Sequence, residues 1–206
     1  MILVINNSGT LKKAYSTPKI INFLKINGIK YKIISKRLDL NNIILNLKNK
    51  IIGIILSGSD LKYSEKMCTC KININLISLL EFNIPILGIC FGFQTIGISY
   101  GGKISTLKKK RQFKQLININ NNELFLGLSK TSKFQQYHHD YLSDCPPSFN
   151  IIAYNDIIQG IKHNSKPIYG VQFHPELSGK SGEIVLFNFV NICHSFLAKI
   201  KESNHH

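Results

Sequence analysis

The chain has 206 residues, 44% of them hydrophobic, and a formal net charge of +15. That length and apolar content fit one globular domain with a sizeable core, and exclude a disordered chain or a string of modules. The lysines are spread along the sequence among abundant Asn and Ile, which reads as AT-rich coding rather than a nucleic-acid module, since such a module would cluster its charge beside stacking aromatics.

In chain order, residues 2–5 form a continuous apolar run that reads as a strand buried on both faces, as parallel sheets require. Thr17 and Pro18 read as the N-cap and first residue of a helix. Its Ile20, Ile21, Phe23 and Leu24 fill one face before Gly28 ends it. A strand over 31–34, a short helix over 40–47 and a strand over 51–56 follow, the last running straight into Ser57-Gly58-Ser59-Asp60. Ile72, Leu76, Leu79 and Leu80 then recur at helical steps. They lead to a short strand bounded by Pro85, and to a helix over 94–100 stopped by Gly101 and Gly102. Strand and helix in alternation predict a doubly wound, mostly parallel α/β sheet with flanking helices.

From Lys103 the texture shifts to short alternating strands over 113–119, 133–138, 150–154, 157–162 and 168–173. These predict a small antiparallel extension beside the parallel core. Lys108-Lys109-Lys110-Arg111 is the one basic run and reads as a solvated loop. An amphipathic helix over 183–197 turns Val185, Leu186, Phe189, Val190, Phe196 and Leu197 inward. The result is a single domain over residues 1–200. Residues 201–206 form a tail whose His205 and His206 read as a purification-tag remnant.

Two stretches carry chemistry. In Gly88-Ile89-Cys90-Phe91-Gly92-Phe93-Gln94, a Gly-x-Cys-x-Gly turn between strand and helix has the layout of a nucleophile elbow with sulfur as the nucleophile. Such a turn forces its central residue into strained backbone angles, while the flanking glycines let chain and substrate approach. Cys90 then lies at a helix N-terminus, where N–H groups favour negative charge. A buried core cysteine is the plainer reading of this segment taken alone. The second stretch is Tyr169-Gly170-Val171-Gln172-Phe173-His174-Pro175-Glu176. Pro175 ends a strand. Residues two apart in extended chain share a side, so Glu176 can hold one imidazole nitrogen of His174 and leave the other free as a base. Cys90 and the loop at 57–60 both fall at carboxyl ends of strands, where doubly wound sheets gather functional groups. Together they predict a Cys90–His174–Glu176 triad.

With both motifs in place, the sequence resembles the class I glutamine amidotransferases, whose hallmarks are Gly-x-Cys-x-Gly-x-Gln and a distant His-Pro-Glu. The resemblance covers nearly the whole chain, including Gly53-Ile54-Ile55-Leu56-Ser57-Gly58, Tyr100-Gly101-Gly102-Lys103 and residues 166–176. Within the family it looks most like the free-standing amidotransferase subunit of archaeal-type GMP synthetases, through its C-terminal third and His138-His139-Asp140. Tyr137-His138 is also similar to the Tyr-His-Ser of anthranilate and aminodeoxychorismate synthase subunits. The resemblance implies the flavodoxin-like amidotransferase fold and hydrolysis of L-glutamine through a thioester on Cys90. It implies oxyanion donors from the backbone of Phe91 and Ser59, and glutamine held by Gly58, Gln94 and the backbone around His138 and His139. It further implies a separate ATP-pyrophosphatase synthetase subunit that uses the ammonia to turn XMP into GMP. ATP and Mg²⁺ would belong to that partner, with no cofactor or metal in this chain.

Some positions depart from the family pattern. Its Ser-Gly-Gly-Pro loop reads Ser57-Gly58-Ser59-Asp60, its first loop reads Asn6-Asn7-Ser8-Gly9-Thr10, and Phe93 stands where His or Met is common. A Cβ at Ser59 makes positive φ costlier. These departures keep open a non-catalytic or regulatory module on the same fold. Five cysteines, with only Cys68 and Cys70 close together, make no disulfide framework and point to a reducing, cytoplasmic compartment. Cys68-Thr69-Cys70 lacks the second ligand pair of a metal site. No apolar run approaches membrane-spanning length, so no membrane is expected.

Overall fold

Apolar strands without polar alternation must be covered on both faces, and the architecture follows from that need. In the computed structural model, which describes residues 1–8, 14–35, 47, 50–64 and 83–203, the chain runs β1 (Ile2–Asn6), α1 (Ser16–Ile26), β2 (Tyr31–Ser35), β3 (Gly53–Leu56), β4 (Ile86–Ile89), α2 (Phe91–Ser99), β5 (Lys103–Arg111), β6 (Lys114–Ile119), β7 (Thr131–Gln135), β8 (His138–Asp144), β9 (Phe149–Tyr154), β10 (Ile158–His163), β11 (Ile168–Val171) and α3 (Lys180–Ser203). Strands β2, β1, β3, β4 and β11 lie side by side in parallel. Strands β10, β9, β6 and β7 continue the same sheet antiparallel, and β5 with β8 forms a separate ribbon.

Alternation along β1 sorts the core into two layers. Ile2 and Val4 join Leu87, Ile89 and Val171 in a cluster with Ile20 and Leu24 of α1 and Val185, Phe189 and Val190 of α3. Leu3 and Ile5 join Leu56 and Ile86 in a second cluster, with Phe93 and Ile96 of α2. Each such side chain contributes about 1.5–3 kcal/mol when removed from water, so slipping β1 by one residue would exchange both layers at once.

Four of the five short strands expected after Lys103 form the antiparallel extension, while the fifth, β11, joins the parallel set of five. The extension curls back. Gln135, at the end of β7, makes an antiparallel bridge to His174, and Phe134 stacks on Phe173 with ring centroids 4.0 Å apart. The far edge of the sheet therefore returns to the segment that follows β11.

Several boundaries differ from the sequence-based expectation, each for a physical reason. Helix α1 begins at Ser16 without a side-chain cap, because the Thr17 hydroxyl bonds Asn6 Oδ1 at 2.9 Å instead. Neither β5 nor β8 is predicted: mixed exposure along β5 hides any two-residue alternation, and β8 alternates with polar His138 and Asp140 on its buried side. The basic run at 108–111 is the end of β5 rather than a loop. Lys108, Lys109 and Lys110 are exposed, but Arg111 is buried and its guanidinium pairs with Asp156 and Gln115. Lys180–Lys199 within α3 is long and apolar enough to cross a bilayer, against the expectation from sequence, yet here one stripe of it packs on the sheet. The helices expected at 40–47 and around Ile72–Leu80, and the Cys68–Cys70 pair, lie outside the described residues apart from Leu47.

Candidate active site

Passing from β4 into α2 requires a sharp reversal at Cys90. That residue sits at φ 51° and ψ −102°, the only non-glycine with positive φ among the described residues. Such a conformation costs on the order of 1–3 kcal/mol and persists only when its surroundings impose it. Here the Cys90 N–H donates to Val171 O at 2.8 Å, and Cys90 O accepts from the Gln94 N–H at 3.0 Å as α2 starts. Gly92 allows the turn to press against β3, for a Cβ there would lie 2.3 Å from the Leu56 carbonyl oxygen. Backbone cannot yield cheaply. Gly92→Ala is therefore expected to lower the unfolding free energy by about 1–3 kcal/mol, read from denaturant melts followed by circular dichroism.

β11 runs beside β4, so the segment after it passes the elbow. His174 and Glu176 meet there as the spacing predicts, with His174 Nδ1 2.7 Å from Glu176 Oε1. A carboxylate can only accept, so Nδ1 carries the proton. Nε2 is buried and has no hydrogen-bond partner among the described residues. Burial works against charge on this imidazole. The Glu176 carboxylate, and after it the nearby Cys90 sulfur, outweigh burial and hold the pKa of His174 well above the ordinary histidine value. The structure thus brings together the three residues of the predicted triad. The Cys90 thiol itself donates to Tyr137 O at 3.7 Å and accepts from Gln172 Nε2 at 3.7 Å.

A cavity of about 100 Å³ opens over the sulfur, lined by Ser59, Cys90, Phe91, Gln94, His138 and His139. That is room for a small amino acid. Beside it a recess of about 10 Å³, enough for one water, touches Ser16, Gly58 and His174. A Cβ on Gly58 would come within 2.9 Å of His174 Cε1, so the loop approaches the ring only as glycine. Gln94 lines the cavity, but its amide nitrogen is engaged by Asp140 O at 2.7 Å and Gln172 Oε1 at 3.2 Å. The His138 ring is likewise occupied, with Nδ1 3.1 Å from Asp140 O and Nε2 2.9 Å from Gln136 Oε1. Burial first, then the charge of Arg111, pushes its pKa down to about 4. The ring is neutral near pH 7, and backbone is what this stretch can offer a ligand. A surface hollow of about 730 Å³ around Met1, Lys25 and Lys50 lies at the opposite ends of the strands.

The unusual loop residues hold one another. Ser59 Oγ donates to Asn7 O and accepts from the Leu61 N–H, both at 3.2 Å, while Asn7 Nδ2 donates to Ser57 O at 2.6 Å. Asp140 accepts from the Ser64 N–H at 2.9 Å and from Thr106 Oγ1 at 3.1 Å. This fixes Tyr63, whose ring stacks on Phe91 at 4.6 Å. Three residues at the site were missed by sequence: Ser16, Tyr137 and Gln172. Gln172 had a positional signal, since it precedes His174 by two along an extended segment and so shares its side, and Tyr137 belonged to the Tyr137-His138 pair already singled out without a role of its own.

The site of this α/β protein is thus a strained cysteine between strand and helix, faced by a histidine–carboxylate pair at the carboxyl edge of the parallel strands. The family model for class-I glutamine amidotransferases matches residues 11–193, and the chain belongs to that family. The glutamine-hydrolysing GMP synthase subunit of Methanococcus maripaludis is 37% identical over 198 residues, which is 94% of this chain and 97% of that protein. The corresponding GMP synthase subunit of Pyrococcus furiosus is 34% identical over 197 residues, 94% of this chain and 98% of that protein. The crystal structure of a candidate GMP synthase subunit from Thermoplasma acidophilum matches with a TM-score of 0.83 at 27% identity, covering 97% of this chain and 96% of that one.

Proposed function

We propose that this chain hydrolyses L-glutamine through Cys90, His174 and Glu176, and supplies the ammonia to a separate synthetase subunit that aminates XMP to GMP. One observation carries the reading. Among the described residues the buried His174 Nε2 has no hydrogen-bond partner, with Cys90 nearby, while Nδ1 is held by Glu176. A buried imidazole nitrogen left open next to a strained cysteine is costly to the fold, and is what a proton-transfer base requires.

In the proposed cycle the glutamine side-chain amide enters the Cys90 cavity. His174 Nε2 takes the thiol proton, and sulfur attacks the amide carbon. Backbone N–H groups of Phe91 and Ser59 face the developing oxyanion. The C–N bond breaks as His174 returns the proton to nitrogen, which leaves as ammonia. Water, deprotonated by the same imidazole, then attacks the γ-glutamyl thioester, releasing glutamate and restoring the thiol. Gln94 and the backbone at His138 and His139 line the space for the substrate, while Gly58 lines the adjoining recess at His174. ATP and Mg²⁺ are assigned to the synthetase step in the cytoplasm. The relatives are each named as one subunit of a GMP synthase, which supports a partner chain of that kind.

The test is glutamate release by the chain alone and with a synthetase subunit, XMP, ATP and Mg²⁺. Release that rises on assembly and matches GMP formation is the expected result. Absence of glutamate from the assembled complex would refute hydrolysis. Glutamate without GMP would leave hydrolysis standing and redirect the nitrogen to another acceptor.

A further inference from the structure

Only one of the two carboxylate oxygens of Glu176 is satisfied among the described residues. Its side chain is fully buried, yet Oε2 has no hydrogen-bond partner among the described residues. Oε1 carries both contacts that the structure gives it: His174 Nδ1 at 2.7 Å and Ser16 Oγ at 2.5 Å. Ser16 comes from the opposite end of the chain, as the first residue of α1, and is itself buried. Two contacts fix its place. Thr17 is tied to Asn6 at the end of β1, and α1 packs on the turn Pro175–Leu177 that carries Glu176. The Gly58 N–H approaches Ser16 Oγ at 3.4 Å, so the hydroxyl bridges the loop after β3 and the carboxylate.

We propose that Ser16 is a positioning residue for the triad: its hydroxyl proton fixes the rotation of the Glu176 carboxylate, so that the oxygen it binds is the one that holds His174 Nδ1. The proposal rests on the glutamine-hydrolysing reading given above. Without a second donor, a buried carboxylate with one idle oxygen has nothing to set its torsion but the imidazole it is meant to orient. Ser16 lines the small recess at His174 rather than the Cys90 cavity. Its loss should therefore leave substrate binding intact and slow the chemical steps.

The experiment compares Ser16→Ala and Ser16→Thr with the parent, in the assembled complex for glutamate release and in the chain alone for the proton NMR signal of His174 Nδ1. Ser16→Ala is expected to lower kcat about 10- to 100-fold, the usual effect of losing a hydrogen bond to a charged group, with KM for glutamine changed less than about twofold. The Nδ1 proton should move upfield. Ser16→Thr, which keeps the hydroxyl, should restore both. An alanine variant with unchanged kcat and an unchanged Nδ1 signal overturns the proposal, as does a threonine variant that folds but restores neither. Should Ser16→Ala fail to fold, Ser16→Cys, a weak donor of similar size, takes its place in the same comparison. If the parent complex releases no glutamate, hydrolysis is refuted, and the Nδ1 signal alone then decides the role of Ser16.

Discussion

Cys90→Ala is expected to reduce glutamate release by the assembled complex to background, a loss of at least about 10³-fold, as removal of a covalent nucleophile does. The same variant should fold. Alanine keeps the Cβ that the turn already accommodates, and the Val171 and Gln94 backbone contacts that impose φ 51° do not involve the sulfur. Added ammonium should bypass the defect and restore GMP formation by the complex, because only the source of nitrogen has been lost. A variant complex that responds to neither glutamine nor ammonium would instead point to a fault in the synthetase step. In the parent protein, an electrophilic glutamine analogue should leave an adduct on Cys90 that mass spectrometry can place. Undiminished glutamate release from Cys90→Ala would end the proposal, whatever the geometry.

Much of this site is legible in the sequence because its parts are local. The elbow lies within seven consecutive residues, and His174 and Glu176 are two apart, so strand period and turn chemistry suffice to place them. The doubly wound core is legible for a similar reason: runs such as residues 2–5 and 86–89 announce burial on both faces. What hydrophobic period reports is that a face is covered, and it does not name the cover. That is why the return of β7 to His174 could not be foreseen, since Gln135 ends the strand at the far edge of the sheet and His174 lies in the segment after β11. The contact of Ser16 with Glu176 crosses 160 residues and leaves no local trace.

The departures at Asn7 and Ser59 teach the complementary lesson. Taken singly, each weakens the likeness to the family, and at Ser59 a side chain replaces freedom that glycine would supply. In the fold they answer one another: the Ser59 hydroxyl binds the Asn7 carbonyl, and the Asn7 amide binds the Ser57 carbonyl. Ser59 does so without entering the positive-φ region. The loop is held by side chains instead of being left mobile by glycine, and it stays open to the Cys90 cavity.

Glu176→Gln is expected to lower kcat about 10²- to 10⁴-fold, the range for disabling the orientation and charge balance of a general base, and to reverse the pH dependence of stability. Burial by itself would make the His174 imidazole neutral; the Glu176 carboxylate, followed by the Cys90 sulfur, holds its pKa well above 6.5 in the folded chain. A histidine whose folded pKa is raised stabilises the fold fully below its unfolded value, and that contribution is lost as pH rises through the folded value. In the glutamine variant burial prevails, so the fold then loses stability as the pH falls below the unfolded value. The stability gap between parent and variant should widen as the pH falls through the unfolded histidine value of about 6.5 and narrow as it rises through the raised folded value, as measured by denaturant melts at each pH. The amide can still accept from Nδ1 through its oxygen, so the ring should keep its place while its charge is lost. Parallel stability curves across that range would mean that the carboxylate only props the imidazole, and that the charge assigned to the pair has no part in the chemistry.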